Sequence, residues 1–589
     1  MRNRPRRKQF SSCDACRQSR VACDATKRGH QPNQTTWNGA CSRCLSRNRK
    51  CTFKVQKSSL VSMFLLANHY GTYKWIGKST SRLGKDESVI PVSVIGDLSD
   101  GAPLELGNEA SNGRTENHVY ETSPSEIVAS HEAQLPIPTI ESGDTLLAQW
   151  SKQIYHHIFS SIFGHCLGRN GCPFVNNPPS DIFLAPTKLF KDLDAYIDKQ
   201  QAPREQDAQI EQFLDRAIQA FAARWLPVTT PKTPHLQEVI KKNWRALRRD
   251  MLRVINHPSY CSVLTLYLFG QTPVPAGVTS EEESDGISSA VCIQTALLHI
   301  QQLRHSCQFL NLPPAFVELE SRAYWAGVMW DTTNSLLLNI RSSLTSGLKG
   351  ACLEPAWKLA RGFLASFHSK TEIWQKKSFE ASEEEAQQVI SAANVCSVYT
   401  WKTIASVKEA LREGVEESDL MFSWDAFLDA LDVFKSTIRP LMSTCQKRLH
   451  FLGQVERLKW YHVVLEYYLG ILLLVETIEG AGRQDLLSKI VETRTGAELE
   501  SFNVLKFGLE SRYTITEHST GTELVGKQIS VSFIAIDPYP THVVALVQLM
   551  TKAIKRRYQQ GDIKQEVHSY LSSTLLKVLE ELPPNSCVV

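Results

Sequence analysis

Six cysteines between Cys13 and Cys51 constrain this chain more than any other feature. Cys13, Cys16 and Cys23 are spaced C-x2-C-x6-C, and Cys41, Cys44 and Cys51 repeat that spacing within the same 39-residue span. A Cys-x-x-Cys turn brings two thiolates to one tetrahedral metal at about 2.3 Å, and a short helix over the next six residues returns a third. Three ligands leave each half one short. Two zinc ions need eight ligand positions, which six thiolates fill only when two of them are shared. The halves must therefore meet. The seventeen residues between Cys23 and Cys41, "DATKRGHQPNQTTWNGA", then loop out of a single site. Lengthening a flexible loop costs only about 0.6 kcal/mol per doubling. A disulfide framework and a one-zinc ribbon are the competing readings of such a cluster. A segment this short has no apolar core of its own, so bound metal would hold it folded.

Charge separates this head from the rest. Residues 1–57 carry 15 Lys and Arg against two acids, Asp14 and Asp24, or +13; the whole chain carries +4, so the remainder carries 4 − 13 = −9. A strongly basic head on an acidic body is the pattern of a polyanion-binding module joined to a separate protein-like domain. The N-terminus "MRNRPRRKQF" has no apolar run behind it and does not read as a secretory signal. The most apolar window, Val463–Val475, has thirteen residues including Glu466, well short of the roughly 20 that span a bilayer. The expectation is a soluble intracellular protein whose thiols stay reduced, which favours metal over disulfides.

A chain of 589 residues exceeds one core, and the sequence divides into three parts. Residues 1–57 form the metal-stabilised head. Residues 58–143 read as a largely disordered linker, rich in Gly, Ser, Asn, Glu and Pro, interrupted by an apolar patch at Leu60–Gly77 without sustained heptads. Residues 144–589 read as a large all-α regulatory domain. Leu147, Trp150, Ile154, Ile158, Ile162 and Cys166 step by three or four, and the rhythm returns in "VIKKNWRALRRDMLRVI" and "RLKWYHVVLEYYLGILLLVETI". Only "QISVSFIAI", Gln528–Ile536, is ambiguous between strand and helix. Acidic runs ("SEEESDG", "EASEEEAQQ", "EGVEESD") read as solvated loops, and "KRRY" and "RALRRDMLR" as solvated helix faces.

The repeated spacing resembles the fungal two-zinc, six-cysteine cluster of transcription factors. The resemblance implies that Cys13 and Cys41 bridge two zinc ions, that Cys16 and Cys23 complete one, and that Cys44 and Cys51 complete the other. It also implies that "RQSRVA", between Cys16 and Cys23, is a short helix whose end enters the major groove of double-stranded DNA. Arg17 and Arg20 match basic positions of that helix, whereas Ser19 and Ala22 stand where Lys or Arg is common. Arg20 is the expected base reader, since Arg pairs with guanine O6 and N7 in the CGG-type triplets that such proteins read. Phosphate contacts are expected from Arg2, Arg4, Arg6, Arg7 and Lys8 before the cluster and from Arg43, Arg47, Arg49 and Lys50 in its second half. The family places a proline just before the fourth cysteine, where this chain has Ala40 and its only loop proline is Pro32.

Scattered segments of the body, among them "IYHHIFSSIFGHCLGRNGCPF", "YWAGVMWDTTNSLL" and "NWRALRRDMLRVINHPSY", resemble the fungal ethanol-utilisation regulator. So do the long insert in the head, the tryptophan late in it and the "CTF" that closes it. This resemblance implies a nuclear, non-enzymatic regulator with transcription machinery or co-regulators as partners and a small-molecule inducer among the signals its body receives. The alternatives are a zinc-dependent interaction scaffold without a direct DNA role and an enzyme with a zinc-binding accessory domain. Against the enzyme, no H-E-x-x-H or G-x-S-x-G is present. "GTYKWIGKS" is one residue too long for a phosphate loop. "GTELVGKQ" puts Gln528 where Ser or Thr would bind magnesium, with no clear strand before it. His156, His157, His165, Cys166 and Cys172 lie close in sequence but read as core and surface positions of an apolar helix.

Overall fold

Apolar residues at three- and four-residue steps become helices throughout the body. The computed structural model describes residues 41–47, 140–175, 183–199, 205–230, 234–308, 312–345, 350–376, 382–516 and 528–583. The chain divides into two units, Met1–Gln134 and Leu135–Val589. Most of the expected linker, including the apolar patch Leu60–Gly77, lies outside the described residues.

In the first unit one helix is described, α1 (Ser42–Ser46). The second unit begins with α2 (Ile140–Tyr155), which passes through a π-turn at His156–Ser160 into α3 (Ser161–Leu167). There follow α4 (Pro186–Asp198), α5 (Glu205–Ala222), α6 (Leu226–Thr229), α7 (Pro234–Ile255), α8 (Tyr260–Gly270), α9 (Ser280–Ser284), α10 (Ser289–Cys307), α11 (Pro314–Leu338), α12 (Gly350–Leu353) and α13 (Pro355–Lys376). The longest, α14 (Glu383–Glu413), leads to α15 (Glu417–Val433), α16 (Arg439–Arg448), α17 (Gln454–Gly480), α18 (Gln484–Lys489) and α19 (Val491–Glu510). A hairpin, β1 (Arg512–Thr516) and β2 (Gln528–Ser532), precedes α20 (Pro540–Gln559) and α21 (Gln565–Glu581).

Three helices are buried on nearly every side, which is why their sequences lack a polar face. Tyr260 to Phe269 of α8 are all buried, enclosed by α4, α5, α7 and α10. Helix α14 is packed by α11, α13, α15 and α17, and α17 by α14, α19 and α20. Trp330 of α11 knits the first half together. It stacks on Tyr267 at 3.8 Å, Phe163 at 5.5 Å and Phe190 at 6.2 Å, offset-stacked contacts that add to their area burial.

Helix ends follow local chemistry. Ser382 and Glu385 form a capping box at the start of α14, and Gly414, at φ +62°, ends it in the left-handed conformation that glycine accepts without penalty. The Asp194 carboxylate caps α8 from another helix, accepting the N–H groups of Tyr260 (2.8 Å) and Cys261 (2.7 Å).

The body is helical, as expected, apart from one hairpin at the ambiguous segment, where β1 and β2 pair antiparallel with Arg512 opposite Ser532 and Thr516 opposite Gln528. Tyr513 and Ile515 of β1 face inward, as period-two alternation requires. The ambiguous segment is a strand only to Ser532; the Phe533 N–H then turns to the carbonyls of Gly508 and Ser511. The acidic runs are not the free loops expected. "SEEES" folds as α9, and Glu282 pairs with Arg245 at 2.5 and 2.9 Å. "SEEEAQQ" supplies the capping box of α14. Glu417 of "EGVEESD" takes a two-pronged bond from Arg483 at 2.7 and 3.0 Å. Acidic side chains at helix starts satisfy N–H groups that the helix cannot.

Candidate zinc centre and nucleic-acid interface

Of the six cluster cysteines, Cys41 and Cys44 fall within the described residues. Cys41 is extended (φ −64°, ψ 153°) and stands at the N-cap of α1, one helical turn before Cys44. That turn places both side chains inward, with Cys41 3% and Cys44 2% exposed. The Cys44 N–H points at the Cys41 sulfur at 3.4 Å. Leu45 N–H donates to the Cys41 carbonyl at 3.0 Å, which closes the turn. A sulfur that accepts a backbone N–H beside a second inward sulfur is a fitting arrangement for thiolate ligands, and thiolates select zinc among common cellular metals. These two residues fit a zinc site and would supply two of its ligands, with their negative charge balanced by the basic head.

Arg43 and Arg47 leave the same turn in other directions. Arg43 is half-buried and Arg47 exposed, and the Arg47 N–H donates to the Arg43 carbonyl at 3.3 Å. Arg47 stands past the last helical residue, at the C-cap of α1, and is exposed there. Cys13, Cys16, Cys23 and Cys51 lie outside the described residues, as do Arg4, Arg6, Arg7, Arg17, Arg20 and Lys50. Residues 11–60 match the fungal Zn(2)-Cys(6) binuclear cluster domain. The chain carries a zinc-cluster domain at its N-terminus. This is the DNA-binding domain of a family of fungal transcription factors that binds two zinc ions; the family is not an enzymatic one. The match spans the whole cysteine cluster, insert included. No curated protein and no solved structure matches the chain.

The motifs set aside in the body take structural roles. His165 is buried against the Ser391 hydroxyl; burial above all, with Lys459 adding, lowers its imidazole to about 3. The Cys166 thiol donates to the Ile162 carbonyl at 3.6 Å, and Cys172 is buried. Among the described residues no three His, Cys, Asp or Glu side chains are grouped to hold a metal ion. The "GTELVGKQ" segment does have a strand before it, contrary to expectation, but Gln528 opens a second strand where a phosphate loop would open a helix. The "KRRY" face is not simply solvated, since Arg556 pairs with Glu498 of α19 and lies 3.6 Å from Glu479 of α17. Among the described residues no helix is long and apolar enough to cross a membrane.

One polar cluster escaped the sequence reading. Glu466 sits in the apolar middle of α17, 3.1 Å from His462 Nε2 and 3.4 Å from His542 Nδ1. Burial opposes the Glu466 charge, but the two imidazoles outweigh it and hold the carboxyl at about 2. The i, i+4 spacing of His462 and Glu466 was visible in the sequence. His542, on α20, was not.

Proposed function

We propose that this protein is a nuclear, sequence-specific transcription regulator of RNA polymerase II genes, of the ethanol-utilisation-regulator type, acting on metabolic or biosynthetic genes. The match of residues 11–60 to the zinc-cluster domain carries the reading, and the +13 charge of residues 1–57 supports it. In this proposal Cys13 and Cys41 bridge the two zinc ions, with Cys16, Cys23, Cys44 and Cys51 completing them. Arg20 reads guanine in a CGG-type triplet, and Arg17 and Lys50 contact phosphates together with Arg4, Arg6, Arg7, Arg43 and Arg47. The helical body receives an inducing signal, a small molecule among the candidates, and contacts transcription machinery or co-regulators.

The full chain should bind CGG-containing duplex with steep salt dependence and release it when zinc is chelated. Arg20→Ala should flatten discrimination among triplet variants. Discrimination unchanged in that variant refutes the role of Arg20. Zinc-dependent binding with no preference over scrambled duplex refutes sequence-specific reading.

A further inference from the structure

Where α15 meets α16 the helix widens into a π-turn, Phe434–Ile438, and a cavity of about 80 Å³ is lined by residues of that turn, α16, α17 and α19. Turns of this kind inside α-helices recur at functional sites. The floor is apolar and buried: Phe434 from the turn, Met442 from α16, and Trp460, Val463 and Tyr467 from α17. Phe434 stacks on Tyr467 at 3.5 Å, and Tyr468 stands edge-on to both, at 6.5 and 5.2 Å. Rings packed against one another in this way form a wall that is set before any ligand arrives. The Trp460 indole N–H and the Tyr467 hydroxyl are buried and have no partner among the described residues.

The rim is charged. Arg439 of α16 is exposed and Glu500 of α19 half-buried, and both line the cavity. Neither takes part in an ion pair among the described residues, and the Glu500 carboxylate accepts only a long bond, 3.4 Å, from the Asn503 amide. Both act on Tyr468: burial raises its hydroxyl pKa most, Glu500 raises it further and Arg439 lowers it. Two opposite charges thus stand near one tyrosine at one cavity without neutralising each other.

We infer that this cavity binds a small zwitterion, an α-amino acid with a short apolar side chain, whose carboxylate pairs with Arg439, whose ammonium pairs with Glu500 and whose side chain enters the aromatic floor. The inference rests on the reading of the helical body as the part that receives a signal. Arg holds carboxylates in two-pronged geometry, and aromatic rings beside a carboxylate attract an ammonium. A bare amine would meet the repulsion of Arg439 and a bare carboxylate that of Glu500, so the charge pattern selects a ligand that carries both. Volume limits the ligand's body. Liquid water takes about 30 Å³ per molecule, so the cavity holds about three heavy groups, the size of an isopropyl group and well below an indole.

The test is calorimetric titration of the full, zinc-loaded chain with L-valine, where saturable binding at a single site is expected. Isobutylamine and isovalerate each lack one of valine's two charges and should bind about tenfold more weakly or worse. L-tryptophan, too large for the floor, should bind more weakly too. R439Q and E500Q alter rim residues outside any ion pair, and an unchanged melting temperature verifies their fold. Each should weaken L-valine by about tenfold, and R439Q should narrow the gap between L-valine and isobutylamine. No saturable binding of L-valine, or binding that both variants leave unchanged, overturns the site. Tighter binding of isobutylamine than of L-valine by the wild type also overturns it, in favour of a simple cation site. L-valine binding with the expected dependences, by a chain that shows no zinc-dependent DNA binding, upholds the site and overturns the regulator reading alone.

Discussion

Gly470 and Gly496 should respond to the same substitution with opposite signs. Both lie inside helices, α17 and α19, where glycine costs about 1 kcal/mol relative to alanine. Propensity alone therefore predicts that Gly→Ala stabilises at either site. At Gly470 the neighbour decides otherwise. A Cβ there would stand 2.6 Å from Cδ1 of Trp401, whose ring is 2% exposed and held by its Nε1–H donating to the Glu466 carbonyl at 2.9 Å. A buried indole cannot swing aside as the end of a lysine can, so α14 and α17 must separate or the indole must move. Overpacking of this kind costs about 1–3 kcal/mol. Stranding the buried indole N–H costs about 1–3 kcal/mol more. Against the helix gain, the middle of these ranges leaves Gly470→Ala about 3 kcal/mol less stable. Gly496 meets nothing within 4 Å, so Gly496→Ala keeps the gain of about 1 kcal/mol. Thermal melting of the full chain, followed by far-UV circular dichroism, should show a lower midpoint for the first variant and a slightly higher one for the second. Equal shifts of the same sign would refute the close-approach argument.

Other outcomes concern single sites. Cys44→Ser removes a buried sulfur, so zinc content measured on the purified protein should fall below two ions per chain, and DNA binding should be lost with it. His165 is held neutral, its pKa lowered to about 3 from an ordinary 6.5. Its contribution to stability is therefore present above about pH 6.5 and is lost as the pH falls towards 3, because the unfolded chain takes up the proton first. His165→Gln should flatten the fall in melting temperature over that window; an unchanged slope would assign acid sensitivity elsewhere. Asp194→Ala strips two N–H groups at the start of α8 of their acceptor and should cost about 1–2 kcal/mol, read as a lower melting midpoint.

Sequence was legible where its signals were local. The cluster cysteines come in two short runs of one spacing, so the sequence alone pointed to a zinc-cluster domain, and residues 11–60 match that domain. Helices were legible for the same reason, since an apolar residue every third or fourth position reports its own segment. Signals failed where the partner lay far along the chain. Nothing near Arg556 foretold Glu498, and nothing near Glu466 foretold His542.

By itself, then, the sequence determined a zinc-cluster head and a helical body, because ligand spacing and helical periodicity act within a few residues. Tertiary structure alone decided which charges are spent. It gave Arg245 and Arg248 to the acidic turn of α9 and left Arg249 and Arg253 facing solvent on the same helix. It also paired β1 with β2 across an eleven-residue connection that carries no hairpin signature. Such choices depend on how buried faces pack, and packing joins residues whose separation in sequence carries no periodic signal.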